Sequence, residues 1–74
     1  MNAPLIFTGH EGFAAALVEA LAPFAERGCT IRHRPWNKGL HLVKVTTPAD
    51  DDLRAEIGAE AWRAGVTFYE SHAG

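Results

Sequence analysis

Two β-type runs, residues 29–34 and 40–46, flank Pro35-Trp36-Asn37-Lys38-Gly39, and this hairpin signal constrains the fold more than any other feature of the chain. Asn37-Lys38-Gly39 fits a type I turn followed by a glycine in the left-handed region, the common three-residue hairpin loop with a bulge. Pairing Trp36 with Leu40 across that loop sets Arg32 opposite Lys44 and His33 opposite Val43. Side chains alternate across a strand. Cys29, Ile31, His33, Val43 and Val45 then face one way, and Arg32, Arg34, Trp36, Leu40, Leu42 and Lys44 the other. The first set is the better core. A two-stranded hairpin is marginal by itself in water, so the remaining segments must extend the sheet and cover the Val43 face.

The flanking segments offer both. Leu5-Ile6-Phe7-Thr8 is a short strand ended by Gly9, and Thr8-Gly9-His10-Glu11 has the S/T-x-x-E spacing of a capping box. Phe13, Leu17, Ala20, Leu21 and Phe24 recur at helical spacing, with a kink or restart expected at Pro23 and a stop at Gly28. Thr47 then reads as an N-cap and Pro48 as the first helical residue, with Asp50, Asp51 and Asp52 in the first turn. Leu53, Ile57, Ala61 and Ala64 form a second apolar stripe, Gly65 a stop, and Val66-Thr67-Phe68-Tyr69-Glu70 a closing strand. The order β-α-β-β-α-β predicts an α+β fold of the ferredoxin-like split βαβ kind: a four-stranded antiparallel sheet with two helices on one face.

Residues 1–74 read as one small domain with the composition of a folded protein. Cys29 is the only cysteine, so no internal disulfide can form and a reducing compartment is expected. No apolar run approaches the roughly 20 residues that span a bilayer, and the N-terminus has neither the basic start nor the apolar stretch of a signal peptide. The expectation is a complete cytoplasmic protein with no membrane association.

The net charge of −2 gives no global attraction to nucleic acid, but its distribution is uneven. Between Gly28 and Ala49 there is no acidic residue, and Arg32, Arg34, Lys38 and Lys44 all fall there. The open sheet face thus interleaves cations with Trp36, Leu40 and Leu42. Such a face is similar to the one with which RNA-recognition domains of this topology stack and pair a single strand, although the aromatic-rich signature segments of that family are absent. It equally suits a protein partner or a second copy of the chain. The acids lie outside this window: Asp50, Asp51 and Asp52 fit the dipole at a helix N-terminus, or an acidic face docking on a basic partner groove. Trp62 falls off the Leu53/Ile57/Ala61 stripe and is a second interface candidate.

Chemistry is sparse. His33 and His41 share a face without a third ligand, and no C-x-x-C or H-x-x-x-H spacing occurs, so no zinc site or cofactor is expected. His33 reads as a core-edge histidine satisfied by the backbone, His10 as a loop residue and His72 as part of a frayed tail. Cys29 reads as a buried structural thiol. The topology is similar to that of acylphosphatases, whose phosphate cradle uses an arginine after the first loop. Phe13-Ala14-Ala15-Ala16 stands there instead. The reading is a non-enzymatic module acting by protein–protein contact through Arg32, Arg34, Trp36, Lys38, Leu40, Leu42 and Lys44, or through Asp50, Asp51, Asp52 and Trp62. A regulator or inhibitor fits, including a phage-type inhibitor of a nucleic-acid-guided defence complex (an anti-CRISPR). The alternatives are an RNA or single-stranded DNA binder using the same sheet face, and a small-ligand-binding regulatory domain.

Overall fold

The computed structural model describes residues 3–72, with side chains described through residue 70. The element order is β1 (Leu5–His10), α1 (Glu11–Leu21), a 3-10 segment (Ala22–Arg27), β2 (Thr30–Asn37), β3 (Leu40–Thr46) and α2 (Asp51–His72). The sheet has three strands in the order β1-β3-β2, with both pairings antiparallel. This corrects the four-stranded ferredoxin-like expectation: the segment read as a closing strand, residues 66–70, continues α2 to a length of 22 residues.

Packing explains the correction. Phe68 extends the stripe of Ala61 and Ala64 at helical spacing, and its ring stacks on His10 at a centroid separation of 5.7 Å. One residue on, the Tyr69 ring meets Phe13 at 5.9 Å. These contacts tie the last turns of α2 to the start of α1. A strand would alternate Phe68 and Tyr69 to opposite faces; a helix places both against one end of the layer. Gly65, read as a stop, sits within the helix facing Phe13, and this packing outweighs its propensity cost of about 1 kcal/mol.

At its other end α2 is held by Arg54, whose Nη1 donates to the Ala3 carbonyl at 2.7 Å. The helix therefore runs alongside β1 and opposite in direction to α1. The core between the helices and the sheet consists of Phe13, Leu17, Leu21, Phe24, Val43, Val45, Leu53, Ile57 and Ala61, with Ala14 and Cys29 completing it. The Cys29/Val43/Val45 face is thus the covered one, as the alternation implied.

Local signals shifted by a few residues. α1 is capped by His10, whose Nδ1 accepts from the Gly12 amide at 3.1 Å, rather than by Thr8. Asp50, not Thr47, caps α2: its Oδ1 accepts from the Leu53 amide at 3.0 Å and its carbonyl from the Arg54 amide at 3.1 Å. Thr47 is buried, and its Oγ1 has no hydrogen-bond partner. The helix gives way to the 3-10 segment around Pro23, which stands in that segment's first turn, and Gly28 ends it at φ 92° while the Cys29 amide donates back to the Phe24 carbonyl at 3.2 Å.

The hairpin turn contains two residues, not three. Lys38 and Gly39 both have positive φ, 47° and 82°, the signature of a type I′ turn. Asn37 pairs with Leu40, and the register shift between Pro35 and Asn37 makes Trp36 the extra, bulged residue. Below the bulge the expected register holds, with Arg32 opposite Lys44 and His33 opposite Val43.

Candidate functional site: the exposed sheet face

Both helices cover the Val43/Val45 face, which leaves the opposite face of the sheet open. Register builds two rows across its three strands: Ile6–Lys44–Arg32 and Thr8–Leu42–Arg34. All of these but Thr8, together with Pro4 and His33, line a groove of about 440 Å³ whose apolar part is Pro4, Ile6 and Leu42 and whose cations are Arg32, Arg34 and Lys44. Ile6, on the edge strand β1, is 56% exposed and leaves an aliphatic side chain open on this face. No carboxylate stands anywhere from residue 28 to 49, so the groove is uniformly cationic along β2 and β3.

The neighbouring sheet edge is poorly suited to recognition. β2 is an edge strand, but Arg32, Arg34, Pro35 and the bulge at Trp36 all blunt edge-to-edge pairing.

Of the residues singled out by sequence, Arg32, Arg34, Leu42 and Lys44 come together in the groove. Trp36, Lys38 and Leu40 lie at the hairpin tip, with Trp36 51% exposed and displaced from the ladder by the bulge. Asp50, Asp51 and Asp52 do not join the groove: Asp50 caps α2 while Asp51 and Asp52 occupy its first turn, the local electrostatic role of acids at a helix start. Trp62 is 75% exposed on α2, beside a separate and almost wholly apolar hollow lined by Gly65, Val66 and Tyr69.

Pro4 and Ile6 were missed, although the alternation Leu5/Phe7 inward and Ile6/Thr8 outward carried the signal. Val66 and Tyr69 were missed because their segment was read as a strand.

The remaining polar groups are accounted for locally. Arg27 and Glu56 form a bidentate pair at 2.8 and 3.3 Å, which fastens the 3-10 segment to α2. Hydrogen bonding to Arg27 holds the Glu56 carboxyl below the ordinary carboxylate range. Arg63 pairs with Glu60 within the helix. Cys29 is buried, and desolvation pushes its thiol up, which disfavours the reactive thiolate. His33 is not a backbone-satisfied core residue: it is exposed, and its Nε2 lies 2.9 Å from His41 Nδ1. The His72 side chain lies outside the described residues. Among the described residues there is no cluster of three or more metal-ligating side chains.

Comparison with protein-family models, with curated proteins and with solved structures found no match. Among the described residues, no helix is long and apolar enough to cross a membrane.

Proposed function

We propose that the chain is a non-enzymatic protein-binding module whose open sheet face receives an acidic segment of a partner that also presents apolar side chains. The observation that carries this reading is the groove itself: exposed Ile6 and half-buried Leu42 ringed by Arg32, Arg34 and Lys44, with no acid on the strands that supply the cations. An apolar floor inside a charged rim is the usual anatomy of a protein interface. The cations steer an acidic partner and fix its register, while burial of the aliphatic floor supplies affinity.

The same cations favour a second reading, a single-stranded nucleic acid. Stacking would require rings at the row positions, and those are Ile6, Thr8 and Leu42; Trp36 lies beyond them at the hairpin tip. The aliphatic floor therefore favours protein.

A peptide-display selection on the immobilised chain separates the two, with Arg32→Glu/Lys44→Glu as counter-selection. Enriched peptides should combine Asp or Glu with Leu, Ile or Phe and lose binding to the double variant. Peptides that bind both proteins equally would sink the proposal. So would oligonucleotide binding alone, recognisable by a log–log salt slope of about −2 for three phosphate contacts.

A further inference from the structure

His33 and His41 are diagonal neighbours on β2 and β3: His33 pairs with Val43, and His41 with Pro35 and Gly9. Both rings project from the helix-covered side of the sheet but lie toward the hairpin end, where His33 is exposed and His41 half-buried. Their ring centroids are 5.0 Å apart and His33 Nε2 stands 2.9 Å from His41 Nδ1. Without an ion, one ring donates its N–H to the lone pair of the other.

That separation is also a chelate bite. With metal–nitrogen bonds of about 2.05 Å, two nitrogens at a 90° angle stand about 2.9 Å apart, and at the tetrahedral angle about 3.35 Å. The hydrogen-bonded spacing is close to the tetragonal bite, so the pair can close on one ion without parting the strands, and imidazole donors suit Cu(II) and Ni(II). We propose that His33 Nε2 and His41 Nδ1 form a bidentate site for a tetragonal divalent ion, Cu(II) above all, with water completing the coordination.

The strand ladder holds the two Cβ atoms in place, and binding turns both rings so that the two lone pairs leave the N–N line and converge on one ion. One imidazole changes tautomer, which frees both facing lone pairs, and two neutral rings release no net proton. Cu(II) heads the affinity order of the first-row divalent ions and takes imidazole readily. The absence of a third side-chain ligand argues against a closed zinc site. It does not argue against a tetragonal ion that keeps equatorial waters. Arg32, Arg34, Lys38 and Lys44 on the same hairpin oppose every dication alike, which lowers affinity overall and leaves the order among metals to the imidazole donors.

The test is titration of the full chain with copper(II) sulfate at pH 7.4 in glycine as a competing chelator, followed by calorimetry and electron paramagnetic resonance. The expected result is one equivalent bound, a tetragonal signal with coupling to two imidazole nitrogens, and selective broadening of the His33 and His41 amide resonances. His33→Ala and His41→Ala should each lower affinity at least about tenfold by removing the chelate advantage, while His10→Ala leaves it unchanged. His33 is exposed and His41 half-buried, and circular dichroism checks that each variant stays folded. Retention of wild-type affinity in either variant would overturn the site. Loss of copper binding on His10→Ala or His72→Ala instead would also overturn it, as would a signal with a single nitrogen.

Discussion

Gly12→Ala should change sign depending on whether Phe68 is present. A Cβ built on Gly12 would stand 2.6 Å from Phe68 Cε2 and 2.9 Å from Cζ, closer than side-chain carbons approach one another. In the wild-type background the ring must therefore move, an overpacking cost of about 1–3 kcal/mol. Against it stands the helix-propensity gain of alanine over glycine in α1, about 1 kcal/mol. The net effect is destabilisation by up to about 2 kcal/mol. In a Phe68→Ala background the obstruction is gone and only the propensity gain remains, so Gly12→Ala should stabilise by up to about 1 kcal/mol. Urea unfolding of all four proteins measures the coupling, expected at 1 kcal/mol or more; thermal midpoints should move by about 4–8 °C per kcal/mol. If Gly12→Ala has the same effect in both backgrounds, Phe68 does not lie over the start of α1, and the account of the C-terminal segment as helix is wrong.

Three further outcomes follow from single sites. Asp50→Ala should cost about 0.5–2 kcal/mol through loss of the α2 cap, whereas Thr47→Val should be neutral or stabilising because it removes a buried hydroxyl with no partner; denaturant midpoints of the two variants decide this. Lys38→Asn should raise the melting temperature slightly, since Lys38 holds φ 47° in a turn that prefers asparagine before glycine, and an unchanged or lower value would contradict the type I′ assignment. Glu56 has a depressed carboxyl, so its contribution is fully present above the unfolded-state value and fades as pH falls through the lower folded value. The stability difference between wild type and Glu56→Gln should accordingly be constant near neutrality and shrink in acid, and a difference that grows on acidification would reverse the sign.

Strong periodicity made much of the layout readable. Phe13, Leu17 and Leu21 on α1, and Leu53, Ile57 and Ala61 on α2, are buried as their spacing required. The Arg32–Lys44 register was set by pairing Trp36 with Leu40 across a three-residue loop; the turn is shorter, but the bulge at Trp36 restores the same register below it, and with it four residues of the groove. The C-terminal segment was misread because Val66, Thr67, Phe68 and Tyr69 are locally β-forming and follow a glycine. Their helical state is decided by contacts with His10, Gly12 and Phe13, more than fifty residues earlier, which no local window sees. The capping errors have a similar origin. Thr47 and Thr8 had suitable side chains, but burial took one and the extension of β1 took the other. The histidine pair was placed on one face by sequence, yet its contact depends on ring orientation, which alternation does not specify.

The binding face itself is tested most directly by amide and indole NMR of the isotope-labelled chain, titrated first with a selected acidic–apolar peptide and then with a single-stranded oligonucleotide. Because Trp36 and Trp62 each give one indole signal, the hairpin and α2 report separately. The expected result is saturable shifts at Ile6, Arg32, Arg34, Leu42 and Lys44 with the peptide, extending to the Trp36 indole and leaving the Trp62 indole still. Shifts centred on Trp62 and Tyr69, or a sheet face that responds only to the oligonucleotide, would contradict it.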